Sequence, residues 1–163
     1  LYASGMRVTE LVSLRIDQFH FDTGFVTIYG KAGRQRDVPL PGPVCEMVQQ
    51  YIKYVRPELL GGKDDGRTDT VLFPAGRKAK TAHITRQTFW CTLKELIAKA
   101  GITKEVSPHS LRHSLATHLL QAGADIRSLQ LWLGHEQMST VEIYTHLEKS
   151  KVRKTYDKKH PRA

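Results

Sequence analysis

The stretch Pro108-His109-Ser110-Leu111-Arg112-His113 opens a helical pattern that runs on to Gln121. Proline is suited to a first helical turn, because its fixed φ is already helical and its missing N–H has no partner there anyway. Leu111, Leu115, Leu119 and Leu120 recur at helical spacing, which predicts one buried stripe. His109 and Arg112 are three apart and share the first turn, at the mouth of that stripe. A phosphate oxygen is favoured at such an N-terminus, where unpaired N–H groups and the helix dipole point outward. Gly123 ends the helix.

Working outward, further helices are predicted over 9–14, 43–56, 86–100, 126–133 and 139–145. The first follows a turn at Ser4-Gly5 and carries Val8, Leu11, Val12 and Leu14, and the second opens on Pro43. Phe25-Val26-Thr27-Ile28-Tyr29 is β-branched and aromatic and reads as a strand. Gly30-Lys31-Ala32-Gly33 then turns the chain, and 36–40 returns as a second strand. Pro39 cannot donate to a ladder, so that strand end belongs at an edge. Residues 61–66 form a solvated loop, and Val71-Leu72-Phe73 reads as a brief third strand. The expected fold is mainly α with a small antiparallel β-sheet, an α+β domain without internal repeats.

The 163 residues suffice for one domain with a real core. Lys and Arg number 25 against 16 Asp and Glu, a net charge of +9 that suits a polyanionic partner such as nucleic acid. No apolar run approaches the roughly 20 residues of a membrane span. Cys45 and Cys91 are far apart and form no C-x-x-C pair, so neither a disulfide scaffold nor a zinc site is expected, and a reducing cytoplasm is the expected compartment. Leu1-Tyr2-Ala3 reads as the tail of a helix already under way, so the first residue is taken as a boundary rather than a biological start. Residues 1–148 are read as the main domain and 149–163 as a basic tail or helix.

Polar residues at turns and element ends supply a chemical inventory: Arg7, Lys31, His109, Arg112, His135 and Tyr144. Breaking a phosphodiester without a metal needs a nucleophile, charge stabilisation on the non-bridging oxygens, proton transfer and a leaving-group acid. The Tyr144 hydroxyl, with an ordinary pKa of about 10, is a nucleophile once cations lower it. Arg7 and Arg112 can present planar forks to phosphate oxygens, a geometry lysine does not reproduce. His109 and His135 can donate to the same group or take the phenolic proton. Lys31, on a turn, can reach and protonate a departing 5′-oxygen. Together they would form an oxyanion-stabilising clamp.

These segments resemble the motifs of the tyrosine recombinases, the phage integrase family. Ala3-Ser4-Gly5-Met6-Arg7-Val8-Thr9-Glu10-Leu11 is similar to the family's first arginine motif. Gly30-Lys31-Ala32-Gly33-Arg34-Gln35-Arg36 resembles its hairpin lysine, and His109-Ser110-Leu111-Arg112 its His-x-x-Arg box. Leu133-Gly134-His135 followed by Ile143-Tyr144-Thr145-His146 resembles its final box, with His135 and Tyr144 nine residues apart. The likeness covers essentially the whole chain and is strongest to the bacterial Xer recombinases of the D type.

The resemblance implies that Arg7, Arg112 and His135 bind and activate the scissile phosphate. His109 would assist proton transfer, Lys31 would act as general acid and Tyr144 would attack. It implies a 3′-phosphotyrosyl intermediate with no metal, ATP or other cofactor. The implied partners are a double-stranded recombination site and a homo- or hetero-tetramer with a second recombinase, in a bacterial cytoplasm. The biological task would be chromosome dimer resolution or mobile-element integration. The family's N-terminal helical domain is not expected within these residues, and its C-terminal segment, corresponding to 151–159, docks on a neighbouring protomer in many members.

Two alternatives stand beside this reading. A type IB topoisomerase uses the same chemistry to relax DNA, and a non-catalytic DNA-binding module would keep the fold without the reaction. Several other residues are expected to be structural. His109 and His113 are four apart as in helical zinc sites, but no H-E-x-x-H arrangement accompanies them, so no metal is expected. His113 is read as a hydrogen-bonding partner and His118 as a helix-face residue. Tyr156 lies among lysines and reads as tail, while Tyr29, Tyr51, Tyr54, Trp90 and Trp132 read as core or rim. Glu10, three after Arg7, is placed either to hold that guanidinium or to stand as a surface carboxylate.

Overall fold

A computed structural model describes residues 1–30, 35–61, 70–76, 80–134 and 156–159. The chain opens with α1 (Val8–Val12), followed by a 3₁₀ turn (Ile16–Gln18), β1 (Phe19–His20), β2 (Phe25–Tyr29) and β3 (Gln35–Pro39). Next come α2 (Gly42–Gln50), a π-helical turn (Tyr51–Val55), α3 (Arg56–Leu60), α4 (Arg86–Lys99), α5 (Pro108–Gln121) and α6 (Ile126–Leu133). The strands form one antiparallel sheet in the order β1-β2-β3, with Val26 opposite Val38 and Thr27 opposite Asp37. Val26 and Ile28 alternate with less buried neighbours, the period-2 pattern of a strand with one covered face. Pro39 ends β3, which is an edge strand as its missing donor requires.

The predominantly helical architecture with a small sheet agrees with the expectation, but the third strand does not. Val71 makes a single bridge to Arg15, and Leu72 donates to the Leu14 carbonyl, so 71–73 is a crossing rather than a ladder. The third strand is β1, only two residues long and fixed by its turn back to β2: the Gly24 N–H bonds the His20 carbonyl. The helix expected over 43–56 also runs further. It widens into the π-helical turn and continues through Pro57 to Leu60, where Gly61 adopts a left-handed conformation. Pro57 stands in the first turn of α3, where its missing N–H is tolerated.

The core joins the covered face of the sheet to α5 and α6. Val26, Ile28, Val38, Leu115 and Leu119 are essentially inaccessible, with Leu129, Trp132 and Leu133 packed in the same cluster. Each fully buried aliphatic side chain stabilises the fold by roughly 1.5–3 kcal/mol. The α5 stripe differs from its sequence reading. Arg112 joins Leu115 and Leu119 on the buried side, whereas Leu120 is exposed. The ends of these helices are capped locally: Ser107 accepts from the Ser110 N–H at α5, and Asp125 accepts from the Ser128 N–H at α6.

Tyr156, read from the sequence as tail, is fully buried. Its ring lies 4.9 Å from that of Trp132 and its hydroxyl donates to the Ala3 carbonyl at 3.0 Å. The Trp132 indole N–H in turn donates to the Ser4 carbonyl at 3.1 Å. These contacts hold the 1–6 segment against the end of α6, where the candidate site is built.

Candidate active site at the end of α6

The last carbonyls of a helix have no partner inside it and carry the negative end of its dipole, so they attract cations. Three arginines from three segments meet this need at α6. The Arg36 Nε donates to the Trp132 carbonyl at 3.0 Å, Arg112 Nη2 to the Leu133 carbonyl at 2.5 Å, and Arg7 Nη2 to the Gly134 carbonyl at 2.9 Å. Consecutive residues thus anchor three guanidiniums side by side, immediately before His135.

Arg112 is the deepest of the three. Only 9% of the residue is exposed, and its Nη1 also donates to the Gly5 carbonyl. Burial lowers its pKa to about 10, the positive charges of Arg7 and Arg36 act in the same direction, and Glu10 opposes them. At neutral pH the side chain remains charged. Gly5 makes this approach possible: its φ is +65°, and a Cβ there would lie 2.7 Å from a Leu133 methyl group. Arg7 is more open, with 41% of its side chain exposed, and its backbone is extended at the start of α1.

Glu10 lies between two of these arginines. Its carboxylate accepts from the Arg7 backbone N–H at 2.7 Å and from Arg7 Nη1 at 3.2 Å. Arg36 grips the same carboxylate through both oxygens, Nη1 to Oε1 at 2.9 Å and Nη2 to Oε2 at 2.7 Å. Burial alone would raise the Glu10 pKa, but the Arg36 and Arg7 hydrogen bonds and charges outweigh it and hold the carboxyl below its ordinary value. The side chain is 8% exposed, so of its two expected places it takes the one holding Arg7.

Of the six residues singled out by sequence, the structure brings Arg7 and Arg112 together and sets His109 nearby in sequence but exposed, on the first turn of α5. The shared face predicted for His109 and Arg112 therefore divides into an outer imidazole and an inner guanidinium. Lys31, His135 and Tyr144 lie outside the described residues, as does the helix expected over 139–145. His118 stands on the exposed face of α5 as expected, but the hydrogen bond expected of His113 is made by His118 instead. Both histidines are exposed, and His118 Nδ1 shares a 2.7 Å hydrogen bond with the Tyr2 hydroxyl. Arg36 was missed as a site residue. Its signal was an arginine within a strand beside apolar Val38 and Leu40, where a lone charge requires a buried partner.

The phage integrase family model matches residues 1–151. The chain belongs to the phage integrase family. Among curated phage integrase relatives it is 44% identical over all 163 residues to tyrosine recombinase XerD of Staphylococcus saprophyticus, covering 100% of this chain and 53% of that protein. Tyrosine recombinase XerD of Staphylococcus aureus gives the same identity and coverage. The chain thus spans about half the length of the curated relatives it matches. Among solved structures it is similar to the XerA recombinase, with 32% identity, a TM-score of 0.69, and 99% of this chain and 56% of that one covered. The XerH site-specific recombinase bound to its difH substrate, in a pre-cleavage complex, is 25% identical with a TM-score of 0.66, over 96% of this chain and 40% of that one.

Proposed function

We propose that this chain is the catalytic part of a site-specific tyrosine recombinase that cuts and rejoins double-stranded DNA. The observation that carries this reading is the pairing of Arg7 and Arg112 on adjacent carbonyls at the end of α6, directly before His135. Each guanidinium keeps N–H groups beyond those spent on the carbonyls, and a fixed fork of such donors matches the oxygens of a phosphodiester.

In this scheme Arg7, Arg112 and His135 bind the scissile phosphate and stabilise the charge that builds on its non-bridging oxygens. The Tyr144 oxygen attacks phosphorus while the bond to the 5′-oxygen breaks. The phenolic proton leaves through the histidine side of the site, with His109 assisting, and the Lys31 ammonium protonates the departing 5′-oxygen. The product is a 3′-phosphotyrosyl link with a free 5′-hydroxyl. Attack by a 5′-hydroxyl of another strand reverses the step and rejoins the DNA, so the bond is conserved and no ATP is consumed.

The whole protein is proposed to act on a recombination site as a homo- or hetero-tetramer, in the bacterial cytoplasm. Similarity to XerD proteins and to a recombinase bound to its DNA substrate supports this, as does the net charge of +9. Residues 149–163 are proposed as a basic segment distinct from the domain of 1–148, with Tyr156 as its anchor on Trp132.

Trapping on a suicide DNA substrate, whose cut strand cannot be rejoined, tests the reading. The full chain should form a denaturant-resistant adduct that maps to Tyr144, and Tyr144→Phe should bind DNA almost normally while forming none. An adduct that survives in Tyr144→Phe would mean the nucleophile is elsewhere. Site-independent relaxation of a supercoiled plasmid would instead favour a topoisomerase.

A further inference from the structure

We propose that Arg36 is a positioning residue that keeps the charge of Arg7 available to the phosphate by taking the charge of Glu10 onto itself. The proposal rests on the phosphate-clamp reading above and assigns a task to a residue that reading does not use.

Two guanidiniums face one carboxylate, and they share it unequally. Arg36 holds both oxygens in a parallel fork at 2.9 and 2.7 Å, whereas the Arg7 side chain has a single contact at 3.2 Å. Burial differs in the same sense: the Arg36 side chain is 10% exposed and that of Arg7 41%. Bidentate, desolvated pairing is the stronger arrangement, so the negative charge of Glu10 is matched chiefly by Arg36. Arg7 is oriented by Glu10 without being neutralised by it. Its positive charge remains for an anion arriving from the open side.

Location adds to this. Arg36 stands on β3, five residues after Lys31, and its Nε fixes the Trp132 carbonyl three residues before His135. Its carboxylate partner sits on α1 beside Arg7. One side chain therefore ties together the three segments that carry Lys31, Arg7 and His135. Take Arg36 away, and a buried carboxylate is left beside Arg7. The exposed guanidinium would turn inward to form the missing fork, leaving the phosphate with weaker charge stabilisation.

The test is single-turnover formation of the Tyr144 adduct on a suicide substrate, using the full chain at saturating protein. Arg36→Met, Glu10→Gln and the double variant are compared, with DNA affinity and thermal melting measured alongside. Arg36→Met should slow adduct formation by about 10- to 100-fold, the usual cost of losing an orienting partner, with DNA affinity little changed. The double variant should recover most of that rate, because a neutral amide at position 10 makes no claim on the charge of Arg7. A purely structural role would move melting temperature and leave the rate of the folded fraction alone.

A folded Arg36→Met that cleaves at the wild-type rate overturns the proposal. So does a double variant no faster than Arg36→Met at equal stability. If Arg36→Met does not fold, Arg36→Lys keeps the charge without the fork and should cleave at an intermediate rate, and a wild-type rate there overturns the proposal equally. Absence of the adduct in the unmodified chain would overturn the underlying recombinase reading and this proposal with it, whereas a normal adduct with either rate result above removes the proposal alone.

Discussion

Arg7 and Arg112, far apart in sequence, donate to the carbonyls of two consecutive residues, Gly134 and Leu133. The meeting point is a helix end, where unpaired carbonyls and the dipole offset the repulsion between like charges. The same end receives Arg36 on Trp132, and Glu10 supplies a counter-charge between Arg36 and Arg7. A cluster of guanidiniums is thus organised by the fold itself, as the proposed electrostatic stabilisation of a transition state requires.

Gly134 is under a double constraint. Its φ is +67°, and a Cβ would stand 3.2 Å from the Arg36 guanidinium. Gly134→Ala should cost about 1–2 kcal/mol for the left-handed backbone alone, seen as a lower melting temperature, and should slow cleavage by displacing Arg36. Gly42→Ala is the control, because no atom lies within 4 Å of the added methyl group. Equal effects at the two positions would contradict the assignment.

Glu10 makes stability depend on pH in a defined direction. Its folded pKa lies below the ordinary 4.5, so its contribution is present above that value and is lost as pH falls through the folded pKa. Glu10→Gln should therefore be less stable than the parent at neutral pH, with the gap closing in acid. Urea unfolding across that range measures it, and a gap that widens in acid would contradict the sign.

Lys31→Ala should slow cleavage of ordinary DNA. A 5′-bridging phosphorothioate, whose thiolate leaves without a proton, should restore the rate. Failure of that restoration would remove Lys31 as the acid.

Much of the fold was readable because it follows from local residue type and periodicity. Phe25–Tyr29 and Ile126–Leu133 fall where β-branched and aromatic residue types and helical spacing put them, and α4 ends one residue before the predicted limit. What escaped depends on contacts between distant segments. A two-residue strand such as Phe19–His20 has no period to detect and exists only because β2 pairs with it. Arg112 reads as a residue at the mouth of a helix, but the segments carrying the Gly5 and Leu133 carbonyls close around it and bury it. Tyr156 lies in a stretch of sequence dominated by charged residues, and its core position comes from Trp132 and Ala3. For the candidate site, the two arginines that meet at α6, Arg7 and Arg112, were named from sequence, whereas Arg36 emerged only when its partner Glu10 was located across the fold.

The most direct test of the paired-arginine site is the cleavage rate of Arg112→Lys at saturating DNA occupancy. Lysine keeps the charge but cannot span the Gly5 and Leu133 carbonyls while also offering a fork to phosphate. Loss of one such donor raises barriers by about 2–4 kcal/mol, or roughly 30- to 1,000-fold in rate, and a decrease of that size with DNA affinity preserved is the expected result. A folded Arg112→Lys variant that forms the proposed Tyr144 adduct as fast as the parent would contradict it.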